Sequence, residues 1–165
     1  MTEERRDSVD HILEQWRRER PDLDLSAMGI FGRVAQVTRV VEGRVEEVLD
    51  RHGLRSGDFD VLAALRRSGP PYTLIPSELS DMVMMSRAGM TSRLDRLEAA
   101  GLVERSLDPA DRRSFKITLS EKGREVIDAT LTDHAANLAR LASGLAPQDA
   151  ATLGRLLRDL LTALA

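Results

Sequence analysis

Pro76-Ser-Glu-Leu-Ser-Asp-Met-Val83, then Met84-Met85, then Ser86-Arg-Ala-Gly-Met-Thr-Ser-Arg-Leu-Asp-Arg-Leu97 reads as a short helix, a tight turn and a second helix. Pro76 suits a first helical position, and Glu78 favours the positive end of a helix. Leu79, Met82 and Val83 are expected to pack inward, and Ser86 can cap the second helix. In that helix Met90, Leu94 and Leu97 recur at intervals of four and three, which is core spacing. Arg87, Thr91, Ser92, Arg93 and Arg96 occupy its other faces. Gly101 closes the helix. Leu102-Val-Glu-Arg-Ser-Leu107 and Ser114-Phe-Lys-Ile-Thr-Leu119 then read as strands, the second alternating apolar and polar residues with a period of two. Between them the turn Asp108-Pro-Ala-Asp-Arg-Arg-Ser114 carries adjacent arginines.

Helix, turn, helix and hairpin in that order are the parts of a winged helix-turn-helix, in which one helix enters the DNA major groove and the hairpin reaches the backbone or minor groove. On this reading Ser86, Arg87, Thr91, Ser92, Arg93 and Arg96 face DNA from the helix, with base contacts concentrated between Arg87 and Arg93. Arg112 and Arg113 face it from the wing. Asp111, two residues before Arg113, can hold a guanidinium in a fixed pose for a narrow minor groove. A solvated charged helix and a merely hydrated turn are the plain alternatives; the combination of the two elements favours recognition.

Outward from this segment, helical periodicity dominates. Asp7 to Glu19 reads as a short helix with Ile12, Leu13 and Trp16 on one side, broken at Arg20-Pro21-Asp22. A long helix starts near Ser26, a good cap, and places Ile30, Val34, Val37, Val41, Val45 and Val48 on one stripe until Gly53. Ser56 is expected to cap a third helix whose Phe59, Leu62, Ala63 and Leu65 face inward up to Ser68-Gly69-Pro70-Pro71. After the hairpin, Ser120 can cap a helix with Ile127, Leu131, Ala135, Leu138 and Leu141 on one face, ended by Gly144. Pro147 opens a last helix lined by Leu153, Leu156, Leu157, Leu160 and Leu164. The fold class is therefore mainly α with a small β wing: N-terminal dimerisation helices in 1–53, a winged helix-turn-helix lobe in 54–119 and C-terminal dimerisation helices in 120–165. A lobe of that size cannot bury so many apolar helices, so a homodimer on a palindromic operator is expected.

The 165 residues are 42% apolar and 31% charged, the balance of an ordinary globular chain. No apolar run approaches the ~20 residues of a spanning helix, and the charged start lacks a secretory apolar stretch, so no membrane and a cytoplasmic location are expected. Cysteine is absent, which excludes disulfides and thiolate metal sites. The formal net charge of −3 is the opposite of the basic balance that phosphate attraction favours. Between Ser86 and Lys116, however, seven basic residues face five acids, so the mild local excess implies that two subunits bind together. His11, His52 and His134 lie on separate helices without ligand spacing, and no phosphate loop or activated nucleophile appears. The reading is thus no enzyme, no catalytic residue, no metal and no cofactor. A metal-responsive winged-helix regulator and a pure protein-interaction module are the alternatives.

The run Leu94-Asp-Arg-Leu-Glu-Ala-Ala-Gly-Leu-Val-Glu-Arg105, with Asp108-Pro-Ala-Asp-Arg-Arg113 and Leu119-Ser-Glu-Lys-Gly-Arg124, resembles the hallmark segment of the MarR (multiple antibiotic resistance regulator) family. The likeness spans nearly the whole chain. It implies a dimeric winged-helix repressor that releases double-stranded DNA when a small anionic aromatic ligand binds between its lobes. It also implies that Asp95, on the recognition helix, pairs with a wing arginine. The extra N-terminal helix is similar to that of the family's urate-responsive branch, which implies an effector set of Trp16, Asp60, Arg93 and Arg112 and an anionic purine or aromatic acid as effector. Such a set offers a ring for stacking, cations for an anion and an acid that feels the added charge.

Overall fold

A computed structural model describes residues 6–83, 87–107 and 115–165, without the side chains of 87 and 88. Among the described residues ten elements follow one another: α1 (Ser8–Glu19), α2 (Ser26–Arg51), α3 (Ser56–Arg67), β1 (Thr73–Leu74), α4 (Pro76–Met82), α5 (Arg87–Ala99), β2 (Val103–Leu107), β3 (Phe115–Leu119), α6 (Glu121–Ala142) and α7 (Pro147–Leu164). The chain is mainly helical with one small antiparallel sheet, and it divides into two compact units, Met1–Arg44 and Val45–Ala165.

In the first unit, Asp7 caps α1 by accepting the N–H groups of Val9 at 2.9 Å and Asp10 at 3.0 Å, while Asp10 accepts from the Asp7 N–H. Arg33 of α2 ties this cap down, donating to Asp7 at 2.8 Å and to Asp10 at 2.6 Å. Gly29 and Gly32 make the helix approach possible. A Cβ at these positions would stand 3.1 Å from Leu13 Cδ1 and 3.2 Å from Val9 Cγ1. The side of α1 that packs is therefore Val9 and Leu13; Ile12 and Trp16, expected beside Leu13, are 44% and 45% exposed. Ile30, Val34 and Val37 of the expected α2 stripe are likewise exposed, because the glycine face has taken the intramolecular contact. Ser26 is the first helical residue rather than the cap, with the Asp24 carboxylate accepting its N–H at 2.9 Å.

The second unit holds the larger core. Leu49, Leu62, Leu65, Leu79, Met90, Leu97, Ile117 and Ile127 are fully buried there. Gly53 and Gly101, at φ +67° and +70°, end α2 and α5 in the left-handed conformation, and the following N–H groups of Leu54 and Leu102 return to the carbonyls of Leu49 and Leu97. Arg55, not Ser56, occupies the cap position of α3 and makes no side-chain bond there. Ser120 does cap α6, accepting the Gly123 N–H at 2.9 Å, and Pro147 opens α7.

The start of α6 is bolted to the end of α5. Ser120 Oγ donates to the Gly101 carbonyl at 2.7 Å, Lys122 Nζ to that of Ala100 at 2.8 Å, and the Ser120 N–H to that of Leu102 at 3.1 Å. Gly123 fits only because it lacks a side chain: a Cβ would lie 2.0 Å from the Leu102 carbonyl oxygen. The sheet runs β1-β3-β2, with Arg105 opposite Ile117 and Leu107 opposite Phe115. The two-residue strand β1, too short for any period, adds Thr73 opposite Thr118, their hydroxyls 2.9 Å apart.

Candidate nucleic-acid interface

Local chemistry sets the first helix. Pro76 begins α4 with its fixed φ, and Glu78 reaches back to accept the Ile75 N–H at 2.9 Å; Ile75 can supply only this half of a capping box. Leu79 is buried and Val83 packs on the core, whereas Met82, expected inside, is exposed at the end of the helix. Residues 84–86, including the Ser86 expected as a cap and DNA contact, lie outside the described residues.

Three residues root α5: Met90, Leu94 and Leu97 are at most 3% exposed. That fixes which side faces out. Thr91 and Ser92 are exposed, and Arg93 and Arg96 are half-buried. Arg87 lies in the first turn of the helix, its side chain outside the description.

Arg93 and Arg96 do not simply extend into solvent. Arg96 donates to Asp58 of α3 at 2.8 Å and to the Ser92 carbonyl and hydroxyl at 3.1 Å each. Arg93 lays its guanidinium on Gly57, so close that a Cβ there would meet Cζ and Nη1 at 1.9 Å. Neither Gly57 nor Asp58 stood out in the sequence, because their partners are more than thirty residues away and no periodicity links them. Asp58 carried one available signal, as an acid beside the apolar stripe of α3.

Asp95 bonds Arg105 on β2 at 2.5 Å, and Glu98 Oε2 stands 3.2 Å from the buried Arg105 Nε. The β2–β3 pair is thus joined through the middle of β2 to α5. In β3, Ile117 and Leu119 are buried, while Phe115 at the far end is 48% exposed. The wing tip, with Asp111, Arg112 and Arg113, lies outside the described residues.

Of the implied effector set, Asp60 and Arg93 are neighbours. Loss of hydration lifts the Asp60 carboxyl above the ordinary carboxylate range, against the pull of Arg93, Arg67 and His134. A cavity of about 490 Å³ on this side of α3 is lined by Phe59, Ala63, Arg66, Arg67, Asp128, Leu131 and His134. The His134 ring rests on Phe59 with centroids 5.1 Å apart. Trp16 is half-exposed on α1 in the first unit, and Arg112 lies outside the described residues. Among the described residues no group of three or more metal-ligating side chains converges, and no helix is long and apolar enough to cross a membrane.

Comparison with known proteins matches this arrangement. A family model of the MarR family matches residues 52–114, from the end of α2 through the wing turn. The chain is 36% identical over 149 residues to the HTH-type transcriptional regulator PecS of Dickeya dadantii, covering 90% of each protein. It is 32% identical over 127 residues to the transcriptional repressor MprA of Escherichia coli K12, covering 77% of this chain and 71% of that one. The fold is shared with Sco3205 of Streptomyces coelicolor, a MarR family transcriptional regulator solved in complex with DNA, at a TM-score of 0.76 and 23% identity over 86% of this chain and 89% of that one. These relatives are regulators, not enzymes, and the chain belongs to the MarR family of winged-helix transcriptional regulators.

Proposed function

We propose that this protein is a sequence-specific double-stranded DNA-binding repressor acting as a cytoplasmic homodimer on a palindromic operator. The observation that carries the reading is α5: a helix rooted by Met90, Leu94 and Leu97, with Thr91 and Ser92 outward and a hairpin tied to its side through Arg105 and Asp95. That is the disposition of a helix that reads bases beside a wing that tracks the backbone. The DNA complex of Sco3205 and the repressor description of MprA support it. Ser86, Arg87, Thr91, Ser92, Arg112 and Arg113 form the direct contact set, with Arg93 and Arg96 at its inner border.

Exposed apolar surface supports the dimer. No residue of α7 is buried in the single chain, and Leu153, Leu156, Leu157, Leu161 and Leu164 are exposed, as are Ile30, Val34, Val37 and Val40 of α2. Surface of that kind at both ends of a small chain needs cover. The effector is a small anionic aromatic acid or purine held by Trp16, Asp60, Arg93 and Arg112; the approach of Arg93 to an Asp60 of raised pKa supports this assignment. The deciding experiment sequences the DNA fragments that the purified protein selects from the genome encoding it. Enrichment of one palindromic motif is expected; a random fragment population would reject the reading.

A further inference from the structure

The recognition helix carries two arginines one turn apart, Arg93 and Arg96, and both end on the first turn of α3. Arg96 reaches Asp58, whose side chain is only 10% exposed, with Nη2 to Oδ1 at 2.8 Å and Nε to Oδ2 at 3.5 Å. The Arg93 guanidinium occupies the space where any side chain at residue 57 would begin. Gly57 is the second residue of α3, at the positive end of a helix, where a cation is disfavoured unless acids offset it. Asp58 and Asp60 stand in that turn and the next.

We infer that Gly57 and Asp58 are positioning residues for DNA recognition: they receive Arg93 and Arg96 and thereby set the rotation at which α5 presents Thr91 and Ser92 to the bases. The inference rests on the DNA-binding reading above. The burial of Met90, Leu94 and Leu97 fixes which side of α5 faces out, and two polar contacts one helical turn apart add a directional restraint on its rotation about its own axis. Arg96 extends the effect outward by donating to both the carbonyl and the hydroxyl of Ser92, so Asp58 orders a side chain of the reading face through it. Arg93 and Arg96 thus act on DNA through the pose of the helix and not as phosphate contacts. Gly57 is a clean probe, since an added methyl meets the movable end of Arg93 and evicts it without changing any charge.

The test compares parent, Gly57→Ala, Arg93→Ala and the double variant, each checked for melting temperature and dimer state, on selected operator and on random DNA across a salt series. Each single change is expected to lower the operator-to-random affinity ratio roughly tenfold, and the double to fall no further than Arg93→Ala, because both remove one contact. The salt slope is expected to stay at the parent value; a fall of about 0.9 for Arg93→Ala would make that residue a phosphate contact and overturn the assignment. Additive losses, or an unchanged ratio in folded Gly57→Ala, would overturn it as well. Should Gly57→Ala fail to fold, the same cycle on Asp58→Asn and Arg96→Ala decides: a double no worse than the larger single supports the inference, and additivity rejects it. A parent that prefers no sequence removes the DNA-binding reading itself, and the positioning role with it.

Discussion

Arg105 of β2 joins the wing to the recognition helix through Asp95, at 2.5 Å, with Glu98 one turn further along α5 as a second acid. The resemblance implies that Asp95 holds a wing arginine, and among the described residues the arginine it holds is the middle residue of β2, opposite Ile117. An arginine at the middle of β2 sets how the β2–β3 pair lies against α5. Arg105→Ala is therefore expected to cost little stability, about 0.5–1 kcal/mol for a partly solvated pair. DNA affinity should fall by a larger factor, about tenfold. Melting curves and operator titrations on the same preparation check this, and a loss of stability exceeding the loss of binding would place Arg105 in the core instead.

Gly123 makes the strongest stability prediction. Its missing Cβ would fall 2.0 Å from a backbone oxygen that cannot swing away, so Gly123→Ala must shift α6 off the end of α5. A cost of about 1–3 kcal/mol is expected, as for other overpacked sites. Urea unfolding with an unchanged midpoint would show that the α5–α6 junction is looser than its three hydrogen bonds suggest.

Much of the architecture was legible because the signals were local. Pro76, Ser120 and Pro147 mark helix starts through chemistry confined to one turn, and Ile117 and Leu119 betray a strand by simple alternation. Ser26 and Ser56 misled by one position, since Asp24 and the backbone of Arg55 already satisfy those helix starts. The buried side of α2 was hidden for a different reason. Gly29 and Gly32 carry no apolar side chain, yet they admit α1, while the conspicuous stripe of Ile30, Val34 and Val37 points out. In the candidate site the outward residues Thr91 and Ser92 follow from the core spacing around them. The contacts of Arg93 and Arg96 with α3 are tertiary, and no spacing within α5 announces them.

At the wing tip, Arg113→Ala is expected to weaken operator binding by about 1–3 kcal/mol without altering the dimer. A minor-groove arginine loses both its charge and its fit to the groove when truncated. Titrations at fixed salt should show the loss; equal affinity of variant and parent would remove the tip from the interface.

Asp60 makes stability depend on pH in an unusual direction. Lost hydration raises its folded-state pKa above 3.8, so the neutral form is the one the fold prefers. Its contribution is present below pH 3.8 and is lost as pH rises through the folded value, which means that at neutral pH the ionised carboxylate is a burden. Asp60→Asn is therefore expected to melt higher than the parent at pH 7, with the difference shrinking below about pH 4. An Asn variant that melts lower at pH 7 would show that the attraction of Arg93 and Arg67 outweighs desolvation.

Effector binding supplies the last prediction. An anion held between Arg93 and Arg112 would neutralise cations beside the reading face and set its charge against Asp60, while a planar ring stacked on Trp16 would fix its orientation. Displacing Arg93 from Gly57 would alter the pose of α5 in both subunits, and with it the spacing of two half-site readers that must match one turn of DNA, about 34 Å. Because linkage is reciprocal, the factor by which such a ligand weakens operator binding must equal the factor by which operator weakens ligand binding. Calorimetric titration of urate, xanthine and simple aromatic carboxylates into the parent and into Trp16→Ala measures one side of this cycle, and operator titrations with and without ligand measure the other. Heat from at least one ligand, lost in Trp16→Ala and matched by an equal fall in operator affinity, is expected. No heat from any of them, or the same binding to both proteins, would reject the four-residue site and leave the DNA-reading surface standing.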